Sequence, residues 1–220
     1  MAAICLPRRL SAALMLAALC FAGSSARAAD PPKEQYYFQL AAITPKPELK
    51  PEAVKGAAPR VQAELKKAFE HHPQIVAKLE GAPDPKSDPD GYRSYLGKAH
   101  IAGAFNVTVE LTDASETATP IADKPGAQRL EVRLALRMLG AHIPDDTLGF
   151  TGRGKASVKQ EIGAKVSDRE RQETWDQLAE LAVSQAMKTA LEELTLAAKL
   201  KPKSKLKPKP TSKVAPSPAH

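Results

Sequence analysis

The chain has 220 residues, 43% of them hydrophobic but only 5% aromatic, which excludes a binding face built on stacked rings and leaves Leu, Val, Ile and Ala to form the core. The net charge of +7 divides unevenly: three arginines stand in an N-terminal leader and seven lysines in a C-terminal tail, leaving 22 basic residues against 25 acidic ones between them. That body of about 165 residues suits one domain with a single core, and its mildly acidic balance gives no ground for sequence-specific nucleic-acid binding.

In chain order, Arg8 and Arg9 precede an apolar run over 10–23, and Ala26-Arg27-Ala28 follows. A short positive region, an apolar segment too short to span a bilayer and small residues at alternate positions predict a cleaved secretory signal peptide over 1–29. The mature chain then begins near Ala29 or Asp30, in the periplasm or outside the cell. Both cysteines, Cys5 and Cys20, fall in this leader, so disulfides and Cys-based metal sites are excluded from the mature chain. Leu19 stands where a lipoprotein signal needs a small residue before its cysteine, which favours ordinary cleavage. No other segment approaches the length of a transmembrane helix.

Residues 35–43 (QYYFQLAAI) predict a first strand, apolar on both faces and therefore central. Four prolines between Thr44 and Pro59 predict a loop. A helix follows over 61–71, with Val61, Leu65, Ala68 and Phe69 on one face, and Pro73 stops it. A short strand over 74–79, a turn-rich stretch over 83–91 and a short helix over 92–100 come next. Three segments then alternate with period two: Phe105, Val107, Val109 and Leu111; Leu130, Val132, Leu134, Leu136 and Met138; Phe150, Gly152, Gly154, Ala156 and Val158. Each has one dry and one wet face, as in an antiparallel sheet covered on one side. Ser167 and Glu170 form a capping box, and from Trp175 to Leu194 a continuous stripe of mostly small apolar residues marks one long helix. The order β-α-β-α-β-β-β-α predicts an α+β fold, a two-layer sandwich of a mixed sheet with helices on one face. The single domain spans 30–198, and a Lys/Pro-rich cationic tail from Lys199 forbids helix and sheet.

No catalytic constellation emerges. His71 and His72 end a helix, His100 and His142 lie at strand boundaries and His220 is terminal, with no metal-ligand spacing among them. Gly152-Arg153-Gly154-Lys155 resembles part of a phosphate loop, but Ala156 replaces the hydroxyl and the strand alternation runs through it. Glycine there reads as room for a crossing helix or a bulge. Asp88 and Asp90, like Asp145 and Asp146, sit in turns where Asp bonds nearby backbone. No cofactor and no metal is expected.

Two features remain. Arg133, Arg137, Arg153, Lys155 and Lys159 share a wet strand face among Glu110, Glu131 and Glu161, which reads either as a solvated face with cross-strand ion pairs or as a docking surface for an acidic partner. The tail carries Lys199, Lys201, Lys203, Lys205, Lys207, Lys209 and Lys213. It reads either as a solubilising end or as a tether to an anionic polymer or lipid surface, with each lysine near such a surface worth about 1 kcal/mol and none of them reading base edges.

The Val61-x3-Leu65 helix, the Gly103-Ala104-Phe105 strand entry, the strand over 130–137, the Gly-x-Gly-x-Ala strand over 152–156 and the Ala-rich final helix resemble a known group. They look like the periplasmic α/β domains of the curli-secretion lipoprotein (CsgG) family, the LpoB-type penicillin-binding-protein activators and the TolB amino-terminal domain. The resemblance covers most of 35–194. It implies a domain that binds envelope proteins without chemistry, transfers no site residue, and lacks here the lipidated cysteine common in the first two. The expectation is a non-enzymatic accessory domain of a bacterial cell envelope that binds an envelope protein or an anionic surface. The alternative is an enzyme or small-ligand carrier whose site is assembled from residues distant in sequence.

Overall fold

The computed structural model describes residues 34–163 and 165–200; the leader expected at 1–29 and the tail lysines from Lys201 onward lie outside the described residues. The elements follow the expected order: β1 (Gln35–Pro45), α1 (Pro51–His71), β2 (Ile75–Val76), α2 (Pro89–Lys98), β3 (Ile101–Pro120), β4 (Gln128–His142), β5 (Leu148–Ile162) and α3 (Asp168–Leu200). They build an α+β fold on a five-stranded mixed sheet of order β2-β1-β3-β4-β5. β1 runs parallel to β2 and β3, while β3, β4 and β5 form an antiparallel meander.

The main core lies between one sheet face and α1 with α3. Val61, Leu65 and Phe69 of α1 meet Phe38, Phe105, Val107 and Phe150 of the strands and Leu178, Ala182 and Met187 of α3. Leu and Phe side chains removed from water each contribute about 1.5–3 kcal/mol, so a core poor in aromatics is compensated by its number of aliphatic members. α2 refines the two-layer picture. Its Tyr92 and Leu96 form a small separate cluster with Ile101 and Ala104, against Tyr37 and Val76. Tyr37 and Ala104 alternate with the core residues Tyr36, Phe38 and Phe105, so α2 covers one corner of the opposite face.

The structure departs from the sequence reading in places that have physical reasons. α1 begins at Pro51, ten residues before the expected start, with Pro59 inside it. Pro51 occupies the first turn, where a missing N–H costs nothing, and Ala57 joins Val61, Leu65 and Phe69 on the buried side of α1, which offsets the bond Pro59 removes. β1 is buried only at Tyr36 and Phe38. β2 pairs only Tyr36 and Tyr37, so the rest of β1 is a sheet edge and not a central strand. Lys199 belongs to α3 and not to the tail; a cation in the last turn interacts favourably with the helix dipole, and Pro202 follows.

α3 is held in two ways. At its start the Ser167 hydroxyl accepts from Glu170 N–H at 3.2 Å while Glu170 Oε2 accepts from Ser167 N–H at 3.0 Å, closing the capping box. Along its length it lies against β5, the edge strand of the sheet. The N–H groups of Thr151, Arg153 and Lys155 donate to Glu193 Oε2, Thr189 Oγ1 and Gln185 Oε1, each at 2.8 Å. Four helical residues advance about 6 Å and two strand residues about 6.7 Å, so side chains at this spacing stay in step with alternate strand amides. The helix thereby closes an edge that would otherwise template another strand. Such proximity needs the two glycines: a Cβ on Gly152 would lie 2.5 Å from the Ala186 carbonyl oxygen and 3.0 Å from Ala190 Cβ, and one on Gly154 would overlap the Ala182 carbonyl oxygen.

Candidate interaction surface

Residues of β4 and β5 alternate between the core and the opposite, open face. Leu130, Val132, Leu134, Leu136 and Met138 are buried, as are Phe150 and Ala156; Arg129, Glu131, Arg133, Ala135, Arg137 and Leu139, with Thr151, Arg153, Lys155, Ser157, Lys159 and Glu161, therefore point away from α3. The antiparallel register sets them in rows. Arg137 stands directly opposite Arg153, Ala135 opposite Lys155, Arg133 opposite Ser157, Glu131 opposite Lys159 and Arg129 opposite Glu161. On the β3 side Glu110 faces Arg137, and a bulge between Leu111 and Asp113 brings Asp113 level with Ala135. All five basic residues singled out in the sequence thus emerge on one surface.

Their electrostatics separate them into two groups. Glu131 is shared by Arg133 at 2.6 Å and Lys159 at 3.5 Å, and Arg133 above all, with Lys159, holds its carboxyl below the usual range. Glu161 is likewise held down by Lys124, with Arg129 assisting. Arg137, Arg153 and Lys155 make no ion pair among the described residues, and Arg137 Nε is out of contact with solvent with no hydrogen-bond partner there. Arg153 and Lys155 are exposed and Arg137 half-buried. Sequence reasoning missed Arg129, whose phase with Glu131 and Arg133 places it on the same face. It also missed the Gln185, Thr189, Glu193 row, whose only signal is polar residues four apart beside an apolar stripe. Of the tail lysines, Lys199 is exposed on α3 and the other six lie outside the described residues.

The other candidates have local partners. Asp88 caps α2 by accepting from Gly91 N–H at 2.9 Å, and Arg93 bridges Asp90 at 2.9 Å and Asp145 at 2.6 Å. His71 Nδ1 lies 2.8 Å from the Lys67 carbonyl, and the His142 ring is tilted against Phe105 with centroids 4.5 Å apart. Among the described residues no group of His, Cys, Asp and Glu has the geometry of a metal site, and no helix is long and apolar enough to cross a membrane. A depression of about 300 Å³ between α1 and α3 is lined by Pro59, Arg60, Ala63, Glu64 and Asp176; Arg60 pairs across it with Asp176 at 2.7 Å.

No protein-family model matches the chain, and no curated protein matches it. Solved structures similar to it include a neuraminyllactose-binding hemagglutinin homolog from Helicobacter pylori, at TM-score 0.43 and 9% identity over 77% of this chain and 91% of that one. A lipoprotein from Caulobacter crescentus aligns at TM-score 0.35 and 12% identity over 71% and 90% of the two chains. A Xanthomonas campestris protein of the DUF330 family aligns at TM-score 0.36 and 9% identity over 76% and 86%. These likenesses, to bacterial proteins that include a lipoprotein, transfer no site residue and no activity.

Proposed function

We propose that this chain is a periplasmic or secreted, non-enzymatic accessory domain of a bacterial cell envelope that docks onto another envelope component through the open face of β4 and β5. The observation that carries the reading is the trio Arg137, Arg153 and Lys155, cations without an ion-pair partner among the described residues on a face that no helix covers there. Glu110 faces Arg137 from β3, but Arg137 and Arg153 also stand opposite one another, and like charges so placed destabilise a sheet. The leader over 1–29 supports export, and the resemblance of 130–137, 152–156 and the final helix to the CsgG, LpoB and TolB group points toward binding and away from chemistry. The lysine tail adds retention at an anionic surface.

The test is fractionation of cells expressing the native chain, with envelope washes of rising salt. The native protein is expected to be held at low salt and released steadily as salt rises, since exposed charges are screened. An Arg137→Gln, Arg153→Gln, Lys155→Gln variant is expected in the soluble fraction, and deletion of 199–220 to weaken retention further. Retention of the triple variant at the native level would refute the docking face.

A further inference from the structure

Resting on that reading, we infer that Arg137 and Arg153 form a seat for the phosphate groups of an anionic phospholipid surface, with Lys155 beside it. The two arginines are direct cross-strand partners, which brings their Cβ atoms within about 5 Å on one face. Lys155 lies two residues along β5, about 7 Å away. Two guanidinium groups so placed repel one another, and an anion between their outer ends relieves that repulsion. Phosphodiester oxygens fit the planar forks of two arginines, each able to donate two parallel hydrogen bonds. Elsewhere on the face the protein supplies its own anions: Glu131 to Arg133 and Lys159, and Glu161 to Lys124. Arg137, Arg153 and Lys155 make no such pair among the described residues, although Glu110 stands directly opposite Arg137 on β3 and Asp113 is level with Ala135.

An extended lipid surface, rather than a discrete acidic ligand, follows from where the chain continues. α3 runs antiparallel to β5, with Gln185, Thr189 and Glu193 against Lys155, Arg153 and Thr151. Leu200 is seven residues past Glu193, about 10 Å farther along the helix. The described residues thus end level with the Arg153 end of β5, on the opposite side of the sheet, and six lysines follow in sequence between 201 and 213. An extended array of phosphates suits a chain so rich in cations better than a single acidic ligand does.

The experiment is co-sedimentation of the mature full-length chain with vesicles of phosphatidylcholine alone and of phosphatidylcholine mixed with phosphatidylglycerol, at low salt. Binding is expected only to the mixed vesicles. An Arg137→Gln, Arg153→Gln variant should bind about 30-fold more weakly, at roughly a factor of five per cation. A charge-matched Lys66→Gln, Lys98→Gln variant, altered on α1 and α2, should stay within about twofold of the native chain. Arg137→Lys with Arg153→Lys keeps the charge but not the fork and should fall between; circular dichroism confirms that each variant is folded. Equal weakening in the two Gln pairs would overturn the seat in favour of diffuse attraction. Inorganic phosphate that shifts the Arg137 Nε–H resonance while mixed vesicles go unbound would overturn the lipid source. Absent vesicle binding, combined with envelope retention in cells that still requires Arg137 and Arg153, would sink this inference and leave the docking face standing. Loss of both dependences would sink both.

Discussion

Gly154→Ala is the smallest change that tests how α3 and β5 are joined. The new methyl group would overlap the Ala182 carbonyl oxygen, lie 2.8 Å from the Ala182 carbonyl carbon and 3.1 Å from Ala186 Cβ. Two of these three neighbours are helix backbone, which cannot turn aside as a side chain can. The helix must move outward, and that motion stretches the bonds from Arg153 and Lys155 N–H to Thr189 and Gln185, both 2.8 Å long. Overpacking of this kind costs about 1–3 kcal/mol, and each loosened bond costs about 1 kcal/mol more. The sum is about 3–5 kcal/mol, or a melting temperature lower by about 10 °C for a chain of this size. Thermal unfolding followed by far-UV circular dichroism measures it, and hydrogen exchange should show Thr151, Arg153 and Lys155 amides losing protection first. Gly56→Ala is the control: its Cβ would meet nothing within 4 Å, and inside α1 it should gain up to about 1 kcal/mol. A Gly154→Ala protein that melts within about 2 °C of the native one would refute the close-approach argument.

Three further outcomes follow from the same contacts. Glu116 accepts from the buried Trp175 Nε1 at 3.1 Å and from Arg171 Nε at 2.8 Å, so Glu116→Ala should cost about 2 kcal/mol in urea unfolding and alter the emission of the only tryptophan, while Glu180→Ala on the exposed side of α3 should cost little. Ser167→Ala should lower the melting temperature by about 2–4 °C at neutral pH. Ser167 holds the Glu170 carboxyl below its usual range; a depressed carboxylate adds stability that is present above its unfolded value and lost as pH falls through its folded one. The Ser167→Ala penalty should therefore shrink in acid, and a penalty that grows there would contradict the capping box. Glu131 and Glu161 are also held low by their basic neighbours. Protonating them as pH falls through those depressed values frees Arg133, Lys159 and Lys124, so binding to anionic vesicles should tighten in acid and Glu131→Gln should tighten it at neutral pH.

Local patterns carried much of the fold. Alternation from Leu130 to Met138 and from Phe150 to Val158 assigned the dry faces correctly because burial on one side imposes a two-residue period. Ser167 and Glu170 marked the start of α3, and the paired glycines in β5 read as room for a crossing helix or as a bulge, of which the structure has the crossing. What stayed hidden depended on partners distant in sequence. β1 reads as central until β2 proves to be two residues long. The prolines at 51 and 59 read as loop because their tolerance depends on position in the first turn and on the burial of Ala57, Val61 and Leu65. The basic residues were legible as one face, but not that Arg137 opposes Arg153 while Glu131 opposes Lys159. That depends on register, which the bulges near Leu111 and Gly140 adjust. Charge patterning therefore proposed a surface, and only the pairing separated its compensated cations from the three left over.

The docking face is tested most directly by site-specific photocrosslinking in cells, with the probe placed at Ser157 on the open face or at Ser184 on the exposed side of α3. Both positions are exposed. The account predicts adducts with envelope material from Ser157 at low salt, lost in the Arg137→Gln, Arg153→Gln background, and none from Ser184. Adducts from Ser184 with none from Ser157 would place the contact on the helical layer and contradict it.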